Sequence, residues 1–384
     1  MANILFISGS SGPTKCGVGK FTHKLINISL SNGHQVQLIA NKHQRLQKLN
    51  ERKDLDYKVN YVDLKFRNVF QILRLIKKSD PEVVNIQYNS LELGRSPFTV
   101  FLALIINFRF PKMQLQVMLH EFSNYTTLGK IKYSMAALVA DKVFFSDRKQ
   151  LESALNFTYK LISKKSSILF LGVVIDTYPL RTKPLLSSSD ETLHIAFHGF
   201  VQPKNGIEYL LQALDLLKTS RINYHLHVLG DFKLLMDYGN LKEGIETYQT
   251  TWLKFLTSRL NHKVTIYGDI DPVSDEFKSV LSKTEIAIIP DIDGMTIRRT
   301  SFWNMFLSSQ NIMFSSYDQD SSDSIFKNFI TFEPKNIQSI VDKISSYQSL
   351  GLAKKEQIWK KQQIVKGLVD LQVLQKDILQ SIVR

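Results

Sequence analysis

The chain alternates short apolar runs with amphipathic stretches, and it does so in two series of six. The first series is Asn3–Ser8, Gln35–Ala40, Lys58–Asp63, Val83–Gln87, Gln114–His120 and Lys142–Ser146. The second is Leu193–Phe197, His225–Leu229, Val264–Tyr267, Ile286–Pro290, Ile312–Ser315 and Phe329–Phe332. Helix-period segments such as Gly19–Ser31 and Asn68–Lys78 fit between them. Runs of this kind are strands buried on both faces, and strand–helix alternation builds parallel α/β sheets. Between the series, RTKPLLSSSDETLH (residues 181–194) combines a proline, three serines and charges, and reads as a linker. The expected fold is therefore α/β: two doubly wound, Rossmann-like domains, 1–180 and 181–353, facing a cleft. A helical segment without a strand, 354–384, follows.

The length of 384 residues suits two such domains. Cys16 is the only cysteine, which rules out an intramolecular disulfide and a cysteine-based zinc cluster and fits a reducing, cytoplasmic setting. MANILFISGS has no positive segment before its apolar run, so it reads as a strand rather than a signal peptide. No stretch reaches the 18 or more apolar residues of a spanning helix. The net charge is +14, and residues 41–78 hold 11 Lys/Arg against four Asp/Glu. Such a surface attracts anionic lipid or phosphorylated ligands, or is simply a solvated face. Stacking aromatics are not interleaved with these charges, so nucleic acid is not an expected partner.

In open parallel sheets, ligands bind outside the carboxyl ends of the strands. After the first strand lies GSSGPTKCGVGKFTHKL, Gly9 to Leu25. It is not a Walker loop: six residues separate Gly12 from Gly19, and Phe21 stands where the magnesium hydroxyl belongs. The dinucleotide fingerprint fails too, because Thr22 takes the third glycine position and the second strand ends in Asn41 and Lys42 without an acid. What remains is a loop around Gly17 and Gly19 entering a helix, either an anion contact or a plain turn. After the fifth strand comes VMLHEFS, which places His120 where it can donate a hydrogen bond to a bound hydroxyl or serve structure alone.

In the second series, HGFVQPKNGIEYLLQAL carries Lys204, Asn205 and Gly206 ahead of a helix with Ile207, Leu210, Leu211 and Leu214 on one face. A lysine at that helix start adds charge to the dipole and suits a diphosphate. The third strand runs into YGDID, with Asp269. The fourth runs into IIPDIDGMTIRRTSFWNMF, where Asp291, Asp293 and Gly294 precede Arg298, Arg299, Thr300 and Ser301 at a helix start. Two arginines beside backbone N–H groups match phosphate oxygens in charge and geometry.

Taken together, these segments resemble the retaining nucleotide-sugar glycosyltransferases of family 4, which have the GT-B fold. The resemblance runs over nearly the whole chain. It rests on CGVG, PEVVNIQY, LHEFS and LGVVID in the first half, then on HGFVQPKNGIEYLLQAL, HVLGD and VTIYGDIDPVSDEFKSVLSKTEIAIIPDIDG. It implies a donor on the second domain, an acceptor on the first, and a last helix that packs back on the first domain. It also implies catalysis without a cofactor or metal, because cations neutralise the leaving diphosphate. His120 matches the family histidine beside the transferred sugar, and Asp293 the first member of an acidic pair eight residues apart. The catalytic expectation is His120, Asp293, Arg298 and Arg299. The donor-binding expectation is Gly17, Gly19, Lys204, Asn205, Asp269, Gly294, Thr300 and Ser301. The chain departs from the pattern in four places. Asp293 stands where the family usually has a glutamate, Ser301 where it has a ribose-holding glutamate, Lys204 sits one residue early with Asn205 before Gly206, and Phe200 lies where the loop arginine belongs.

The resemblance implies a nucleotide sugar, with uridine among the candidate bases, and a glycan or lipid-linked saccharide acceptor of surface polysaccharide synthesis. PFTVFLALIINFRF (97–110), with the basic stretch 41–78, points to an anionic membrane surface as a further partner, against the reading of a buried core helix. Two rival classes stay open: a non-catalytic GT-B partner subunit, supported by Ser301, and a nicotinamide-dependent dehydrogenase, opposed by the missing fingerprint.

Overall fold

The computed structural model describes residues 1–9, 17–42, 56–88, 98–169, 186, 192–220, 222–232, 242–260, 263–268, 270, 272, 274–295, 299–307, 311–317 and 327–368. The chain divides into two compact units, one within residues 1–174 and one within residues 175–370. The expected boundary at 180/181 and most of the 181–194 linker lie outside the described residues.

The first unit runs β1 (Asn3–Ser8), α1 (Gly17–Ser31), β2 (Gln35–Asn41), β3 (Lys58–Val62), α2 (Val69–Ser79), β4 (Val83–Tyr88), α3 (Phe98–Arg109), β5 (Gln114–Leu119), α4 (Thr127–Val139), β6 (Lys142–Phe145), α5 (Arg148–Phe157) and β7 (Ser166–Ile168). Its strands lie in the order β3-β2-β1-β4-β5-β6-β7, all parallel. Both faces are covered. Leu5, Ile7, Ile86 and Val117 pack under α2, α3 and α4, while Ile4, Phe6 and Met118 pack with Phe21 and Leu25 of α1. Burial on both faces is why these strands read as unbroken apolar runs.

The second unit runs β8 (Leu193–His198), α6 (Ile207–Leu217), β9 (Tyr224–Leu229), α7 (Lys242–Arg259), β10 (Val264–Ile266), α8 (Asp275–Ser282), β11 (Ile286–Ile289), α9 (Thr300–Leu307), β12 (Asn311–Ser315), β13 (Ile330–Phe332), α10 (Ile337–Gln348) and α11 (Leu352–Leu368). Its order is β10-β9-β8-β11-β12-β13, again all parallel. In each sheet the order reverses beside the unit's first strand, at β1/β4 and at β8/β11. Those reversals are the switch points at which such sheets bind ligands.

Every strand expected from the sequence is present to within one residue at each end. One strand, β7, was not expected. It is three residues long, two of them serine, and among the described residues it pairs with β6 alone at the sheet edge. The described part of the last helix, α11, packs on β12 of the second unit, with the Gln362 side chain bonded to both Ile312 N (2.9 Å) and Ile312 O (3.1 Å). The segment expected to return to the first domain is 354–384; its described part, to residue 368, belongs to the second unit instead, and residues 369–384 lie outside the described residues.

Candidate functional site

The second unit's switch point is flanked by two loops, one after β8 and one after β11. After His198 the chain makes a short turn at Pro203–Asn205 and enters α6 through Gly206. Gly206 has φ +66°, and a Cβ there would lie 1.8 Å from the Pro290 carbonyl oxygen, so only glycine lets the two loops meet. Ile207, Leu210, Leu211 and Leu214 are fully buried and fix α6 against the sheet, as their spacing predicts.

Three contacts stitch the loops together. Gly206 abuts Pro290, the Ile292 N–H donates to the Lys204 carbonyl at 3.3 Å, and Arg299 Nη1 donates to Asn205 Oδ1 at 3.4 Å. The Asn205 amide in turn donates to the Phe200 carbonyl at 2.7 Å. Arg299 also forms a close ion pair through Nη2 with Asp291, which is buried. The Asp291 carboxylate accepts the Asp293 N–H at 3.2 Å, and its carbonyl accepts the Gly294 N–H at 3.2 Å and the Ser315 hydroxyl. Burial raises the Asp291 pKa above the ordinary carboxylate value, opposed by the Arg299 guanidinium beside it.

The structure thus brings Lys204, Asn205, Asp293, Gly294, Arg299, Thr300 and Ser301 to one end of one sheet. Lys204 and Asp293 are exposed, and Ser301 is half-buried in the first turn of α9. The Arg299 carbonyl accepts the Phe302 and Trp303 N–H groups, so Arg299 stands at the opening of α9. Asp269 and Arg298 lie outside the described residues, as does the Thr300 side chain. The Arg299 guanidinium, expected from the sequence as a phosphate contact, is also anchored to Asp291 and Asn205.

Sequence reasoning passed over His198 on β8. Its Nδ1 meets the Leu229 carbonyl at 3.0 Å and its Nε2 the Asn304 amide nitrogen at 2.8 Å. A carbonyl only accepts, so Nδ1 carries the proton and Nε2 accepts from Asn304, which fixes a neutral tautomer. Phe277 packs edge-on against the ring at 5.0 Å. The available signal was the HGF at this strand end, echoing HEF in the first half.

In the first unit, His120 directly follows β5 and is buried. Its ring packs edge-on against Phe21 at 5.5 Å, and its Nε2 meets Gln87 Oε1 at 2.9 Å. Gln87 continues to Asn85, Asn85 to Gln116 at 3.0 Å, and Gln116 to Gln114 at 2.7 Å. Of this ladder of side-chain amides on β4 and β5, Asn85, Gln87 and Gln116 are fully buried on the α1 face of the sheet and Gln114 is half-buried. Its members satisfy one another, which makes their burial tolerable. Gly17 and Gly19 are not in a loop, contrary to expectation. The helix pattern of Val18, Phe21 and Leu25, all buried, starts α1 at Gly17, and Gly19 lies in its first turn. Cys16 lies outside the described residues, and among the described residues no cluster of His, Cys, Asp or Glu could hold a metal ion.

No protein-family model matches this chain, and no curated protein matches it significantly. Solved structures do. A glycosyltransferase from Rickettsia africae is 14% identical over 99% of this chain and 97% of its own, with a TM-score of 0.68. A sucrose-phosphate synthase from Thermosynechococcus elongatus is 12% identical over 99% and 98%, with a TM-score of 0.70. Anabaena HepE, solved with UDP-glucose, is 12% identical over 99% of both chains, with a TM-score of 0.69. The fold is that of GT-B glycosyltransferases: two Rossmann-like units, each with a parallel sheet.

Proposed function

We propose that this chain is a retaining glycosyltransferase of the family 4 type, binding a nucleotide-diphosphate sugar at the second unit's switch point. The observation that carries the reading is the stitched loop pair, which holds Lys204 and Arg299 at the openings of α6 and α9. Two cations beside two helix starts suit a diphosphate, whose negative charge grows as the sugar departs. UDP-glucose in HepE makes uridine the first base to try. The residues assigned to the reaction are His120, Asp293, Arg298 and Arg299. Cations of the chain carry the leaving-group charge without a metal. The acceptor hydroxyl attacks from the face the diphosphate leaves, and the leaving phosphate takes its proton. The acceptor is a glycan or lipid-linked saccharide of cell-surface polysaccharide synthesis, in keeping with the family resemblance.

The test is thermal stabilisation by UDP-, GDP-, ADP- and dTDP-sugars in the presence and absence of metal, followed by nucleotide release. One donor should stabilise the fold and release its nucleotide when acceptor lipid is added. A cooperative melt unmoved by every donor would favour the second reading, a non-catalytic GT-B subunit, for which Ser301 in place of a glutamate is the specific support.

A further inference from the structure

Two of the helices on one face of the first sheet, α3 and α4, expose large apolar side chains on their outer side, where surface helices ordinarily carry charge. α2, α3 and α4 cover this face, with Ile72, Ile106 and Ala136 fully buried beneath them. On α4 the outward residues are Leu128, Ile131, Met135 and Leu138, spaced so that they form one stripe, and each is 43 to 62% exposed. The α4 lysines, Lys130 and Lys132, are only half-buried beside that stripe. On α3, which packs along α4, Phe101 and Phe108 lie two turns apart, and Phe108 is 88% exposed. Phe101 meets the exposed ring of Phe66 at 5.5 Å, just before α2, and so continues the surface toward α2 and its exposed Phe70. Exposed large apolar side chains gathered on neighbouring helices in this way mark an interaction site rather than solvent-facing chance.

The charges on these helices indicate the partner. α2, α3 and α4 carry Arg74, Lys77, Lys78, Arg109, Lys130 and Lys132, and not one Asp or Glu. A two-fold dimer through this face would bring two sets of these cations together with no acid on the three helices to offset them, which disfavours a second copy. A bilayer with anionic headgroups offers acyl chains to the stripe and negative charge to the cations. No helix among the described residues is long and apolar enough to cross a membrane, so the contact is interfacial.

We propose that the outer face of α2, α3 and α4 docks on an anionic membrane surface, with the α3 and α4 stripes at the acyl boundary and the cations in the headgroup layer. The proposal needs only this face and is independent of the donor reading.

The test is co-sedimentation of the full chain with phosphatidylcholine vesicles, with and without phosphatidylglycerol. Binding should require phosphatidylglycerol and weaken as salt is raised. Leu128→Ser with Met135→Ser should lower vesicle binding on the order of tenfold with an unchanged melting temperature, since both side chains are exposed. Lys77→Glu with Lys78→Glu should lower it similarly and abolish the preference for phosphatidylglycerol. Wild-type chain that stays in the supernatant with these vesicles, or variants that bind like wild type, would overturn the proposal. A dimer at sedimentation equilibrium that the Leu128/Met135 variant dissolves would also overturn it, in favour of a second copy. Donor stabilisation is read separately, so a failure there leaves this result standing.

Discussion

Arg299 has two roles that a single substitution would confound. It is placed to meet phosphate, and it also neutralises the buried Asp291. Arg299→Ala should therefore cost ~3–5 kcal/mol of stability, because a buried carboxylate loses its partner. The double variant Arg299→Met with Asp291→Asn should recover most of that loss in urea unfolding and still lack donor stabilisation. If the double variant binds donor as wild type does, Arg299 is a structural ion-pair member only. His227 gives a second residue-scale expectation. It lies on β9 beside His194 (Nδ1 to Nε2, 3.0 Å) and Tyr267 (3.1 Å to the hydroxyl), with His225 4.8 Å away between ring centres. Burial, reinforced by His225, His194 and Lys283, lowers its pKa to about 4. Between about pH 6.5 and pH 4 the unfolded chain then takes up a proton that the folded chain refuses, so stability falls as pH falls through that window. The loss approaches ~3 kcal/mol. Urea unfolding at pH 7.5 and pH 4.5 should show it, and His227→Gln should flatten the difference. An equal drop in the variant would assign the pH dependence to other groups.

At the scale of elements, what was legible depended on whether packing followed apolar periodicity. The strands were legible because both of their faces are buried, leaving runs such as Ile4–Ile7 and Ile286–Ile289 with no polar interruption. The amides of Asn85, Gln87 and Gln116 were not, since a buried amide ladder looks like ordinary strand alternation until its partners are known. The docking of α11 was hidden more deeply. Its inward residues are Lys355, Trp359 and Gln362, one stripe made largely of polar side chains. Lys355 is fully buried, pairs with the buried Glu285 at 3.1 Å, and stands 4.9 Å over the Tyr347 ring. Lys355→Met should thus destabilise the second unit by ~3–5 kcal/mol, since Glu285 is left charged without its partner. Adding Glu285→Gln should restore much of it. Should the single and double variants unfold at the same urea concentration, the unpaired Glu285 charge is not what the substitution costs.

At the scale of the whole molecule, each unit has its own sheet and its own core, and the loop pair that holds Lys204 and Arg299 belongs to the second of them. That division was readable as two strand series. The site itself was readable only as a set of strand-end loops, because the Gly206–Pro290 approach and the Asn205–Arg299 bond join residues far apart in sequence. The division has a thermodynamic consequence. A ligand that binds one folded unit stabilises that unit by RT ln(1 + [L]/Kd), about 2.7 kcal/mol at a hundredfold excess over Kd. For a unit of this size, that raises its melting temperature by about 5–10 °C. Scanning calorimetry should therefore resolve two transitions, and donor sugar should move one while leaving the other in place. Urea unfolding followed by hydrogen exchange would assign the moved transition, with protection expected at the loops after β8 and β11. A single transition that shifts as a whole would mean that the units unfold as one body. A shift confined to the first unit would move the donor site away from Lys204 and Arg299.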